Sequence, residues 1–395
     1  RRGGAGLIQA LAIAGIWVAV EYLRANLFTG IPWAQLGHSQ YRWTGLIQVC
    51  DITGVYGISF LIVMVNYSLF RAIKCLSDRR ACLACLVPAA GLVAAVLIYG
   101  SLRLPQFNSE DAPGPLTIAA IQGSVPQDQK WRNGNKARIM ETHLGLTEKA
   151  LKQGARLFIW PETTVQTYLQ QKVPAPLTKL LRTYDAAAIV GGPRFAGGPE
   201  NYTYYNSAYY LKGSGIDAIH NKRHLFPFGE YFPLGFVDIL KLRYSAPRQY
   251  TPGEAITLFE TPAGRAAVLI CFEVIFSRLA RDAVSAGADY LVIISNDAWF
   301  GKTSAHYQHF SMAVFTAVGF RRPLVRAANT GISGFIDPAG RIVERLAPFE
   351  EGIVLCEPQV NISVISFYCR FGDLFAWLCF LGFLGVFLPL TRTSK

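Results

Sequence analysis

Three long apolar runs open the chain and a fourth closes it. Residues 6–26, 45–70, 81–102 and 374–391 each approach the roughly 20 residues that a helix needs to cross a bilayer core. Glu21 lies near the end of the first run and Asp51 near the start of the second, so both charges are expected at the membrane interface. Between them and the last run the pattern changes. Short apolar segments at 116–123, 155–162, 186–193, 206–211, 265–271 and 289–297 are strand-like, and 136–154 and 276–288 read as helices. Strand and helix in alternation predict an α/β layered domain. The organisation is therefore three membrane spans in 1–103, a catalytic block in 104–372, and one span with a short tail in 373–395.

Composition agrees with a mixed architecture. The 395 residues are 51% hydrophobic and only 16% charged, too apolar for an ordinary soluble protein and too polar for one embedded throughout. The net charge of +12 is partly held in Arg1 and Arg2, the loop 71–80 and the tail 391–395. Under the positive-inside rule these three are cytoplasmic, which puts 27–44 and the whole middle block on the other side, the periplasm of a bacterium. The remaining positive charge suits anionic lipid headgroups, and nucleic acid has no place in this reading. The chain opens on Arg1 at the edge of a span, so further spans are expected to precede it.

Of the eight cysteines, Cys50, Cys82, Cys85 and Cys379 fall in spans and Cys75 in a short loop, leaving Cys271, Cys356 and Cys369 outside the membrane. Cys82 and Cys85 have CxxC spacing, but no histidine or further cysteine stands near them to make a metal site. His306 and His309 are three apart, and two ligands do not make a zinc site either. No cofactor or metal is expected. Cys271 is different, because polar residues gather where the apolar strands end. Glu162 follows "LFIWP", Lys222 follows "IDAIHN", Cys271 follows "AAVLI", and "NDAWFG" follows "LVIIS". In layered α/β folds a site is assembled at the carboxyl ends of strands. A thiol needs a base, and an acyl-transfer transition state needs a cation or N–H donors for its oxyanion; Glu162 and Lys222 supply these types.

These residues carry a resemblance. "WPE" (160–162), the lysine of "NKRHLFPFGEYFP" (221–233) and "CFE" (271–273) are similar to the Glu-Lys-Cys triad of the nitrilase superfamily. "GGPR" (191–194), "YNSA" (205–208), "SNDAWFG" (295–301), "RAANTGISGFIDPAG" (326–340) and "FTGIPWAQLGHSQ" (28–40) narrow the resemblance to the membrane-embedded apolipoprotein N-acyltransferases. It implies a nitrilase-like αββα layered sandwich inserted between transmembrane helices, in the bacterial inner membrane with its catalytic domain periplasmic. It also implies a ping-pong reaction: a phospholipid acyl chain passes to Cys271 as a thioester, then to the α-amine of a diacylglyceryl-modified lipoprotein cysteine. Glu162 would be the general base and acid, and Lys222 with the backbone N–H of Phe272 would stabilise the oxyanion. Glu230 and Glu273 would fix Lys222, and Trp131 would line the pocket.

The protein is expected to act as a monomer. The alternative is a membrane-tethered nitrilase-type amidase with water as acceptor. Phe272 stands where the family often has Tyr, which removes a hydroxyl. Residues 313–326 lack a glutamate expected before the "RRP", which predicts a lost structural ion pair. The apolar stretches 231–242 and 367–377 are expected to form an interfacial lid.

Overall fold

In a computed structural model of the chain, residues 2–107, 114–198, 200–233, 249–360 and 362–390 are described. The middle block is a sandwich of two six-stranded sheets. The first contains β1 (Ile118–Gln122), β2 (Leu157–Ile159), β3 (Ala187–Ala196), β4 (Thr203–Lys212), β5 (Gly215–Asn221) and β12 (Gly352–Cys356), in the order β12-β1-β2-β3-β4-β5. The second contains β6 (Leu258–Thr261), β7 (Gly264–Ile270), β8 (Tyr290–Ser295), β9 (Leu324–Ala328), β10 (Gly334–Ile336) and β11 (Ile342–Arg345), in the order β11-β10-β9-β8-β7-β6.

Each sheet has a parallel centre, β1-β2-β3 and β7-β8-β9, with antiparallel neighbours outside it. Parallel neighbours require a crossover, usually helical. The helices Lys136–Lys152, Ala175–Thr183, Ser277–Ser285 and Ala305–Phe320 make these crossovers. Strands covered on both faces are apolar at every position, which is why "AAVLI" and "YLVII" are continuous runs. Val268, Ile270, Val292 and Ile294 meet Ile118, Ala120, Leu157 and Ile159 between the sheets. Their neighbours Leu269, Leu291 and Ile293 pack outward on the helices of the second sheet, as Phe158, Trp160 and Val190 do on those of the first. The expected αββα sandwich is what forms.

Among the described residues three helices, Gly6–Asn26, Val55–Lys74 and Arg79–Phe107, are long and apolar enough to cross a membrane, and the apolar helix Leu374–Leu390 packs beside the first. The second span differs from its prediction. It starts at Val55, not at residue 45, and the preceding residues form two short turns, Thr44–Ile47 and Cys50–Thr53. Ile47 and Cys50 are buried in the same cluster as the catalytic helix Ala305–Phe320. The reason is Asp51, which sits in a buried ion cluster and not at an interface. It accepts from Arg321 (Nη2 2.7 Å, Nε 3.1 Å), from Arg103 (Nη2 2.7 Å, Nε 3.0 Å) and from the Tyr99 hydroxyl (2.7 Å). Gln48 Oε1 also accepts from Arg321, at 2.6 Å. Arg321, within 313–326, is thus paired with an acid from the N-terminal helical region. Glu21 is also buried, and its Oε1 accepts from Trp17 Nε1 (3.0 Å) and the Leu36 N–H (2.7 Å), bracing the loop after the first span.

The chain turns into the second span at Gly54, whose φ is 62° and where a Cβ would lie 2.6 Å from the Tyr368 ring. The two stretches expected to form a lid differ in what the structure describes. The stretch 231–242 lies outside the described residues from 234 onward, as does the tail 391–395. In 367–377, Tyr368 and Cys369 are buried against the helices of the second sheet, while Phe367, Arg370, Phe371, Leu374 and Trp377 are exposed.

Removing Asp51 leaves Arg321 buried without its anion, and breaking a buried pair in this way costs roughly 3–5 kcal/mol. Asp51→Asn should lower the thermal unfolding midpoint in detergent by several degrees. Asp78→Asn, which touches only an exposed helix cap, should shift it far less; equal shifts would show that the cluster contributes little.

Candidate active site

Four strand ends converge. Glu162 sits three residues beyond β2, Lys222 directly follows β5, Cys271 directly follows β7, and Asn296 directly follows β8. Glu162 is buried. Its Oε1 accepts from Asn206 Nδ2 at 2.7 Å and faces Lys222 Nζ at 3.5 Å, and its Oε2 accepts from the Asn296 N–H at 2.9 Å. Burial pushes this carboxyl upward. The Lys222 ammonium, the Asn206 amide and the Lys130 ammonium outweigh burial and hold it below its ordinary value.

Lys222 is 2% exposed, which for a free ammonium would favour loss of the proton. Two carboxylates reverse this: Nζ lies 2.9 Å from Glu230 Oε2 and 3.0 Å from its Oε1, in addition to Glu162. The ammonium is held above its ordinary range against burial, by Glu230 first and Glu162 second. Asn206 Nδ2 also donates to Glu230 Oε1, at 2.8 Å, and so bridges the two acids. Glu230 Oε2 accepts from the Phe226 N–H at 2.7 Å, which fastens the loop after β5 around the amine.

Cys271 begins a short 3₁₀ turn, Cys271–Ile275, with φ 56°. A non-glycine residue in the left-handed region is strained and persists only where its surroundings impose it. Glu273 imposes it here. Its Oε2 accepts from the Ile270 N–H (2.7 Å) and its Oε1 from the N–H groups of Arg223 (2.6 Å) and His224 (2.9 Å). Glu273 was expected to fix Lys222; its contacts are to backbone N–H groups and tie the chain just after Lys222 to the chain just before Cys271. Phe272 is buried edge-on against Phe226 (4.9 Å) and Phe276 (5.2 Å). The first N–H groups of a helical turn have no partner within it, which leaves this one suited to an oxyanion. Burial and the Glu162 carboxylate push the Cys271 thiol well up, against Lys222. Burial and the neighbouring acid thus raise the thiol, while the two lysines and Asn206 lower the carboxyl beside it.

Behind the turn, His309 Nε2 lies 3.3 Å from the Cys271 carbonyl oxygen. Its Nδ1 contacts Asp297 (3.0 Å) and Arg326 (2.9 Å), and Arg326 pairs with Asp297 at 2.7 Å. Burial, and then the Arg326 guanidinium, lower the His309 imidazole. Among the described residues no group of three or more His, Cys, Asp or Glu is placed to hold a metal. Trp131 is 53% exposed and Trp299 72%, so neither is a core aromatic.

Sequence reasoning passed over Asn206, Asn296 and Lys130. Lys130 Nζ donates to the Glu162 carbonyl oxygen (2.9 Å) and to Thr163 Oγ1 (2.8 Å). The motif strings contained Asn206 and Asn296, and Lys130 precedes Trp131 directly, but a polar side chain shows its partner only in space.

The profile described as carbon-nitrogen hydrolase matches residues 117–365, and that of the apolipoprotein N-acyltransferase N-terminal domain matches residues 1–68. The chain is 40% identical over 385 residues to the apolipoprotein N-acyltransferase of Geobacter metallireducens, covering 95% of this chain and 73% of that one. It is 35% identical over 382 residues to that of Methylococcus capsulatus, covering 94% and 72%. Among solved structures, an amidase from Nesterenkonia sp. is similar at 18% identity with a TM-score of 0.47, over 67% of this chain and 96% of that one.

The charges predict opposite effects on the free thiol. Glu162→Gln removes an anion that holds the Cys271 proton, so iodoacetamide should alkylate Cys271 faster than in the unsubstituted protein at about pH 8. Lys222→Met should slow it. Timed alkylation followed by mass spectrometry of the Cys271 peptide reads both, and slower alkylation in Glu162→Gln would mean that the carboxylate already carries the thiol proton at rest.

Proposed function

The chain belongs to the apolipoprotein N-acyltransferase family, an acyltransferase built on the carbon-nitrogen hydrolase fold, and from this we infer that Cys271 carries an acyl group from a phospholipid to a lipoprotein amine. The observation that carries the reading is the convergence of Glu162, Lys222 and Cys271 at the ends of β2, β5 and β7, with the Lys222 ammonium 3.5 Å from the Glu162 carboxylate.

In the first half-reaction Glu162 takes the Cys271 proton as sulfur attacks the ester carbonyl of the phospholipid. The oxyanion is held by the Lys222 ammonium and the Phe272 N–H. The carbon–oxygen bond then breaks, Glu162 returns the proton to the departing alkoxide, and a lysophospholipid leaves a thioester on Cys271. In the second half the α-amine of a diacylglyceryl-modified N-terminal cysteine attacks the thioester. Glu162 takes the amine proton, the carbon–sulfur bond breaks, and the thiolate recovers that proton. The products are an N-acylated lipoprotein and free enzyme. Neither step needs a metal or an organic cofactor.

Both substrates are lipids, which suits a catalytic block (104–372) set between membrane segments (1–103 and 373–395). The basic residues Arg71, Lys74, Arg79 and Arg80 lie at one end of the two long helices that they border. The catalytic block attaches at the other end, through Asp51 and Arg103. With the basic end cytoplasmic, the site opens on the periplasmic side of the bacterial inner membrane.

Purified protein mixed with acyl-labelled phospholipid should become labelled, and the label should move to a diacylglyceryl lipopeptide. Release as free fatty acid would instead indicate a hydrolase. Cys271→Ala should take no label, whereas Cys356→Ala and Cys369→Ala should. Lys222→Arg should lose nearly as much transfer as Lys222→Ala, because a planar guanidinium cannot replace a compact ammonium between two carboxylates. Full transfer by Lys222→Arg would reduce Lys222 to a general positive field. For orientation, a cysteine at Ser77 should resist an impermeant maleimide in spheroplasts and one at Gly213 should react; the reverse pattern would contradict a periplasmic site.

A further inference from the structure

Lys130 is a buried cation that the reaction above leaves unused. It ends the turn Gln127–Lys130 after β1, and it is 2% exposed. Its two hydrogen-bond acceptors are neutral, the Glu162 carbonyl oxygen at 2.9 Å and Thr163 Oγ1 at 2.8 Å. A buried ammonium is costly unless its charge is compensated. Here the compensating charge is the Glu162 carboxylate, and burial with only this relief pushes the ammonium down to about 8.

The turn it grips is strained. Thr163 has φ 47°, a left-handed conformation that is unfavourable for a β-branched residue. The turn is also pressed by β3, where a Cβ on Gly191 would lie 2.5 Å from the Pro161 carbonyl oxygen. Gln166 Nε2 donates back to the Lys130 carbonyl oxygen, closing the segment on itself.

We propose that Lys130 is a positioning residue for acyl transfer: it pins the turn that aims Glu162 at the thiol, and its charge keeps Glu162 in the carboxylate form that accepts the proton. This rests on Glu162 being the base. The groups facing Glu162 are Lys222 after β5, Asn206 on β4, the Asn296 N–H after β8, Cys271 after β7 and Lys130 itself. His143, on the helix Lys136–Lys152, also faces Lys130, and burial pushes its imidazole down to about 4, so it is neutral near pH 7. Of the two ammoniums, Lys222 is tied to Glu230 as well, while Lys130 has no carboxylate hydrogen-bonded to its Nζ among the described contacts. Removing the Lys130 charge lets the Glu162 carboxyl rise, so the acid limb of the acylation rate moves to higher pH. A role confined to packing would lower the rate equally at every pH.

The test measures acyl-Cys271 formation from labelled phospholipid at about pH 6 and about pH 8 in the full chain. In Lys130→Met the ratio of the rate at pH 8 to that at pH 6 should rise about tenfold over the unsubstituted protein. Lys130→Arg keeps the charge, and Thr163→Val loses one contact but keeps the ammonium; both should be slower with the ratio unchanged. An unchanged ratio in Lys130→Met, or an equal rise in Thr163→Val, would overturn the proposal. Thermal unfolding in detergent identifies a misfolded Lys130→Met protein, and Lys130→Gln, which keeps a donor for the Glu162 carbonyl, then takes its place with the same expected ratio. Failure of the unsubstituted protein to acylate Cys271 at either pH would instead overturn the transfer reading on which the proposal rests.

Discussion

Lys222 is a buried ammonium between two carboxylates, and most of the site follows from the need to keep it there. An isolated charge at that depth would lose its proton or unfold its surroundings. Glu162 comes from the turn after β2, Glu230 from the loop after β5, and Asn206 from β4 bridges both acids. Three separate segments must therefore arrive together for any one of the charges to be tolerated. Removing one partner of such a group leaves the rest uncompensated, at roughly 3–5 kcal/mol. The proposed chemistry would use the same arrangement, with the ammonium that faces the Glu162 carboxylate also serving the oxyanion.

Cys271, the proposed nucleophile, is held by a second set of contacts, joined to the first through the backbone that follows Lys222. Glu273 fastens the Ile270 N–H, just before Cys271, to the N–H groups just after Lys222. The strained φ of Cys271 is thereby bound to the position of the ammonium. On the other side, His309 contacts the Cys271 carbonyl oxygen and stacks on Trp33, with ring centroids 5.4 Å apart. Trp33 belongs to the loop after the first membrane helix, and Asp51 joins the next helical segment to Arg321. The membrane region and the nucleophile turn are thus linked by one buried ion cluster and one pair of stacked rings.

Much of this was legible in the sequence because it follows from covering both faces of a strand. The parallel centres of the two sheets are continuous apolar runs, and the acid and the cysteine stand where such runs stop, while the lysine follows the antiparallel edge strand β5. The outer strands were harder to see. β6, β10 and β11 have three or four residues each, too short for a period to register, and β12 is defined by pairing with β1 from far along the chain. The segment 45–53 read as part of a span because its apolar residues do pack inward, but against the catalytic helices and not against lipid. Asp51 was the signal, and its meaning depended on Arg321, 270 residues away. Lys130 escaped for the same reason: it is one lysine in a polar string, and only the Glu162 turn folded over it gives its charge a target.

The claim on which everything else depends is that Cys271 becomes acylated while Glu162 and Lys222 are in place. The most direct measurement is the mass of the Cys271 peptide after the protein has been mixed with a phospholipid of known acyl chain. It should increase by that acyl group and return to its starting value on treatment with neutral hydroxylamine, as a thioester does. A peptide that stays at its starting mass, or an adduct that survives hydroxylamine or sits on another residue, would contradict the account.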